Sequence, residues 1–130
     1  PQVNANDYIV EPMGGGDILF SRPGTASDSM WTGVRAGDTA PASSVALKID
    51  GTYEPHWVSY RGLLLYAPGT APDRFVTYIG EDGSMDVENL TINGTYRVGV
   101  APSMSNNPWI LFHGPGAASD SLWYLPGLPD

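Results

Sequence analysis

Three aspartates stand at one repeated position in this chain. Asp28, Asp73 and Asp120 each follow a Pro-Gly proline (Pro23, Pro68, Pro115) by five residues. A carboxylate repeated at fixed spacing can contact an ion or ligand, or it can close a turn by accepting backbone N–H hydrogen bonds. The turn role is the commoner use and the one expected here. A second acidic group lies in Glu81-Asp-Gly-Ser-Met-Asp-Val-Glu88. Asp82, Asp86 and Glu88 are its calcium candidates, although calcium takes roughly six to eight oxygen ligands. A solvated hairpin tip is the simpler account of that run. Paired carboxylates also do glycosidase chemistry, but nothing around this loop would raise a catalytic pKa.

Aromatic faces are platforms for sugar rings because they offer apolar area with a polar edge. Trp31 and Trp123 occupy one repeat position, which holds Val76 in the middle copy, so they are expected in the core. Trp57 and Trp109 fall outside the repeat consensus and are the better surface candidates. Tyr66 and His113, beside the second and third Pro-Gly loops, complete the candidate ligand-binding set. His56 and His113 are the two histidines and occupy different repeat positions. A shared zinc site or a Ser-His-Asp triad would need further context, and no nucleophile elbow is present. Asn89-Leu-Thr91 and Asn93-Gly-Thr95 are glycosylation sequons; the second already has a turn role.

These residues are placed by a repeat of about 46 residues. Asp17–Trp31, Gly62–Val76 and Trp109–Trp123 align on their Pro-Gly pairs, which lie 45 and 47 residues apart. A second anchor precedes each copy: Val3-Asn-Ala-Asn-Asp-Tyr8, Ile49-Asp-Gly-Thr-Tyr53 and Ile92-Asn-Gly-Thr-Tyr96. The repeats run over about 17–61, 62–108 and 109–125, the last completed by a strand at 3–8, in one domain over 1–130. Ile18–Phe20, Leu63–Leu65 and Ile110–Phe112 are short apolar runs between turn residues, the pattern of strands buried on both faces. Ser29–Thr32, Arg74–Ile79 and Ser121–Leu125 predict the strands that follow. Glu81–Ser84 predicts a hairpin turn, with Asp-Gly supplying positive φ. No segment has helical periodicity with caps.

The pattern Asp-Ile-Leu-Phe-x-x-Pro-Gly-Thr-Ala-x-Asp-Ser-x-Trp, with Asn-Gly-Thr-Tyr, resembles the FG-GAP/VCBS repeats of secreted bacterial proteins, over about residues 3–125. The resemblance implies four-stranded β-propeller blades and a secreted, extracellular or cell-surface protein. Many such repeats carry a calcium loop, Asp-x-Asn-x-Asp-Gly, between the tyrosine and the buried strand. The loops here depart from it. Arg97–Pro108 contains no acidic residue, and Ile9–Gly16 and Glu54–Arg61 are about four residues shorter. No cofactor is therefore assigned, with calcium unsupported by the loops. Three blades are also fewer than the usual four to eight or so of a closed propeller.

Composition agrees with an all-β chain. Sixteen glycines and 12 prolines among 130 residues far exceed the usual share of about 12% and favour short strands joined by tight turns. The net charge is -8, and one lysine with five arginines forms no basic stripe, which disfavours nucleic acid and anionic membranes. No apolar run reaches the roughly 20 residues of a membrane helix. The absence of cysteine excludes disulfides and thiolate chemistry. Starting at Pro1 without Met or a signal peptide, the chain reads as a mature, processed one. The expectation is an antiparallel all-β protein of three propeller-like blades, without helix. Its expected role is that of a non-enzymatic subunit self-assembling into a ring, tubule or filament, as a homo-oligomer joined through strand edges or a donated N-terminal strand. The alternative is a carbohydrate-binding or adhesive module with glycan partners.

Overall fold

The structure, a computed structural model, describes residues 8–22, 24, 27–58, 62–101 and 108–124. All regular structure in them is β, with no helix. The first sheet holds β1 (Ile9–Pro12), β2 (Ile18–Ser21), β3 (Asp28–Thr32) and β4 (Ser43–Leu47). The second holds β5 (Glu54–Trp57), β6 (Leu63–Tyr66), β7 (Asp73–Ile79) and β8 (Met85–Leu90). The third holds β9 (Arg97–Ala101), β10 (Trp109–His113) and β11 (Ser121–Tyr124). Every sheet is an antiparallel meander in chain order. The expected hairpin turn joins β7 to β8, with Gly83 at a φ of 85°.

Three antiparallel sheets of 4, 4 and 3 strands are thus present, but they do not close into a propeller ring. β1 approaches β5, and β5 approaches β9, so the sheets follow one another in a row. Glu11 on β1 fastens the first pair: its Oε1 accepts the Trp57 backbone N–H at 2.9 Å.

β1, β5 and β9 form where the sequence predicts connecting loops. Pro12, Pro55 and Gly99 interrupt these strands, and strands of four or five residues containing proline or glycine give little local signal. Conversely, Ile49–Tyr53 and Ile92–Tyr96 are not full strands. Each makes one isolated bridge, Gly24 with Gly51 and Gly69 with Gly94. The third copy of that anchor, at residues 3–8, lies outside the described residues except for Tyr8.

The second sheet is packed on both sides, and β6 shows it. Leu63 and Leu65 join Leu19, Met30 and Leu47 in one cluster, while Leu64 and Tyr66 join Ile110 and Phe112 in another. All four β6 side chains are buried. That is the two-faced burial expected of a continuous apolar run. β10 alternates instead: Ile110 and Phe112 are buried, whereas Trp109, Leu111 and His113 face solvent. The sequences of β6 and β10 are alike; the difference is that the described chain puts a sheet on only one side of β10.

Burial against a neighbouring sheet is what gives these leucines their stabilising role. Leu64→Ala is expected to lower unfolding free energy by about 2–5 kcal/mol. Leu111→Ala, at the same repeat position but 43% exposed, is expected to cost under about 1 kcal/mol in dilute solution. Urea unfolding followed by tryptophan fluorescence compares the two, and equal losses would contradict the layered packing.

Candidate functional site

The repeated aspartates take the turn role in the first two sheets. Asp28 Oδ1 accepts the Arg22 N–H at 2.8 Å and Oδ2 accepts the Ile49 N–H at 2.9 Å. Asp73 does the same with Ala67 and Ile92, both at 2.8 Å. Each carboxylate is fully buried and joins two stretches of chain far apart in sequence. One is the residue before the Pro-Gly pair; the other is the isoleucine that opens the Ile-x-Gly-Thr-Tyr anchor. Beside each clamp the two glycines exchange backbone hydrogen bonds, at 2.8 and 3.0 Å for Gly24 and Gly51 and at 2.9 Å both ways for Gly69 and Gly94. A buried anion needs charge-assisted donors to offset its lost hydration, and the two N–H groups supply them.

The anchor motif has its own geometry. Gly51 and Gly94 have φ of 133° and 129°, a region that favours glycine. A Cβ on Gly51 would lie 2.6 Å from the Tyr53 ring, and one on Gly94 would lie 2.8 Å from the Tyr96 ring. The tyrosine therefore folds back over its own glycine, which explains why Gly-Thr-Tyr travels as a unit. Tyr66, an expected ligand residue, serves this scaffold: its buried hydroxyl donates to the Gly94 carbonyl at 2.9 Å and accepts the Tyr96 N–H at 2.8 Å. Burial pushes its phenol pKa upward.

The third copy differs. Asp120 Oδ1 accepts the Gly114 N–H at 2.9 Å, repeating half of the clamp. The same oxygen lies 2.9 Å from His113 Nδ1. Among the described residues no donor meets the other oxygen, and both side chains are about half exposed. The His113–Asp120 pair holds two of the residue types of a hydrolytic triad, and no described hydroxyl hydrogen-bonds the histidine. His56 Nε2 lies 3.6 Å from Glu54 Oε2, in a different sheet from His113.

The remaining candidates are scattered. Trp57 is half-buried against the cluster between the first and second sheets. Trp109 is 41% exposed, with its ring 4.6 Å from that of Tyr124 and tilted by 36°. Trp31 lies on Phe20 at 4.6 Å, and Trp123 lies on Phe112 at 4.8 Å. Asp82 is tied to Ser84, accepting its hydroxyl at 2.6 Å and its N–H at 3.0 Å; these bonds lower its pKa. Asp86 and Glu88 are exposed on β8. No group of three or more His, Cys, Asp or Glu side chains converges among the described residues. Asn89 and Asn93 are both exposed.

What the sequence reading missed is a surface. On the side of the third sheet away from the second, Trp109, Leu111, Leu122 and Tyr124 are all exposed. Trp109, Leu111 and Leu122 border a depression of about 250 Å³ together with Gly99, Val100 and Ala101. The available signal was positional: Leu111 matches the buried Leu64, and Leu122 matches Phe75. No known protein family, curated protein or solved structure matches the chain.

Asp73→Ala orphans two buried N–H groups and is expected to cost about 3 kcal/mol or more. Asp120→Ala, at an exposed half-clamp, is expected to cost under about 1 kcal/mol. Parallel urea titrations measure both, and a loss for Asp120 as large as that for Asp73 would refute the distinction.

Proposed function

We propose that this chain is a non-enzymatic extracellular structural subunit that assembles with copies of itself into a ring, tubule or filament. Its three sheets are taken as propeller-type blades of the FG-GAP/VCBS kind. The observation that carries the reading is the third sheet, which among the described residues presents a contiguous apolar face and an unpaired edge. β11 corresponds to β3 and β7, whose far sides are paired by β4 and β8; among the described residues β11 has no such partner. Open strand edges attract strands, including one donated from the N-terminal segment of a neighbour. Large exposed apolar patches mark interaction sites. Size-exclusion chromatography with light scattering is expected to show species larger than the monomer that grow with concentration. A monomer at millimolar concentration would overturn the proposal.

One observation favours a second reading, that of a glycan-binding or adhesive module. The exposed Trp109–Tyr124 pair offers two adjacent aromatic faces of the size of a sugar ring. On this reading a glycan array gives hits that Trp109→Ala abolishes, and sugars change the tryptophan fluorescence. An array without hits and unchanged fluorescence would remove it. Neither reading assigns a metal or cofactor.

A further inference from the structure

We infer that a second copy of this chain seats the outer face of its first sheet on the outer face of the third, head to tail. The contact repeats the junction already formed twice inside the molecule. The inference rests on the self-assembly reading above and names the surface and the partner.

The argument is one of equivalent positions. Alignment on the Pro-Gly pairs makes Leu19, Leu64 and Leu111 equivalent, and likewise Met30, Phe75 and Leu122. In the first sheet Leu19 and Met30 pack toward the second sheet. In the second sheet Leu64 and Phe75 pack toward the third. In the third sheet the same positions, Leu111 and Leu122, are 43% and 58% exposed. This is a face of the type that covers the next sheet, with no next sheet among the described residues.

The complementary face is present at the other end. Leu63, Leu65 and Val76 of the second sheet pack toward the first. Ile110, Phe112 and Trp123 of the third pack toward the second. Their equivalents in the first sheet are Ile18, Phe20 and Trp31, which share a face with Val10 through the cross-strand pairs Val10–Phe20 and Ile18–Trp31. That face is turned away from the second sheet. Phe20 is sheltered by Tyr8 and Trp31, while Val10 is 47% exposed.

Both internal junctions join a Leu64-type face to a Leu65-type face, and neither joins like to like. Among the described residues no sheet covers the Leu111 face of the third sheet or the Val10 face of the first, the latter sheltered in part by Tyr8. A partner that matches the third sheet's outer face in residue type is therefore the first sheet of another copy. Such a heterologous contact closes as a ring or runs on as a filament. Two copies would bring together twice three sheets, within the range of about four to eight blades in known propellers.

The test uses two surface variants whose altered residues are all exposed, so that each folds, as circular dichroism would check. L111E/L122E charges the outer face of the third sheet; V10E/A46E charges that of the first. Each alone is expected to weaken association more than tenfold by light scattering. An equimolar mixture is expected to recover a one-to-one dimer, because one intact junction remains between the two variants. If L111E/L122E assembles like the wild type, the inference fails and the self-assembly reading stands, with the β11 edge as the contact. If V10E/A46E assembles normally while L111E/L122E does not, the faces pair like with like and the head-to-tail arrangement is wrong. A wild-type chain that stays monomeric removes both.

Discussion

The buried carboxylate of each complete repeat is the constraint on which the rest of the structure depends. The strands are short, four to seven residues, and among the described residues no helix props them. A strand this short holds its place only if the loops at its ends are fixed. Asp28 and Asp73 do this by drawing the Pro-Gly loop and the Ile-x-Gly-Thr-Tyr connector onto one anion. The bonds come from backbone N–H groups, so they restrain the main chain rather than flexible side chains. The paired glycines then lock the same two segments side by side, and the isoleucines whose N–H groups are captured, Ile49 and Ile92, drop into the two core clusters. One polar contact thus sets the position of an apolar one.

The layered core follows from this. Once the connector is pinned at the end of a sheet, the chain leaves it in a fixed direction, and the next sheet is laid on the face that presents Leu19 or Leu64. The middle sheet is covered on both sides, and so β6 contains no residue that meets solvent. The outer sheets use the same residue types with one side covered. Apolar side chains at repeat positions are therefore core in one copy and surface in another, with no change in their chemistry.

This explains what was legible in the sequence. The three apolar strands, the strands after each aspartate and the Asp-Gly hairpin rest on local residue chemistry and are found, but two-faced burial holds for β6 and not for β10. β1, β5 and β9 were hidden because proline and glycine sit inside them and their stability comes from pairing with β2, β6 and β10. The site residues were less legible. Tyr66 and Trp57 are aromatic, which suggested ligand platforms, but nothing local distinguishes a stacking face from a scaffold. Tyr66 is consumed by the Gly94–Tyr96 connector and Trp57 by the inter-sheet core. Leu111 and Leu122 carried no functional signal of their own. Their exposure depends on what lies beyond the third sheet, and only the geometry of the first two sheets reveals what kind of face they form.

The third clamp brings these threads together. Asp120 keeps the Gly114 bond but exchanges deep burial for a contact with His113, and it sits in the sheet whose outer face has no cover among the described residues. In the first two repeats a full clamp and a covered Leu19-type face occur together, because the connector that fills the clamp also leads the chain to the covering sheet. In the third, half a clamp and an uncovered face occur together among the described residues, for the same reason. Charge and apolar surface are coupled here through the main chain. An element that covered Leu111 and Leu122 would also bring its own backbone near Asp120 Oδ2, which no donor meets among the described residues. The polar and apolar ends of the third sheet thus call for one partner rather than two.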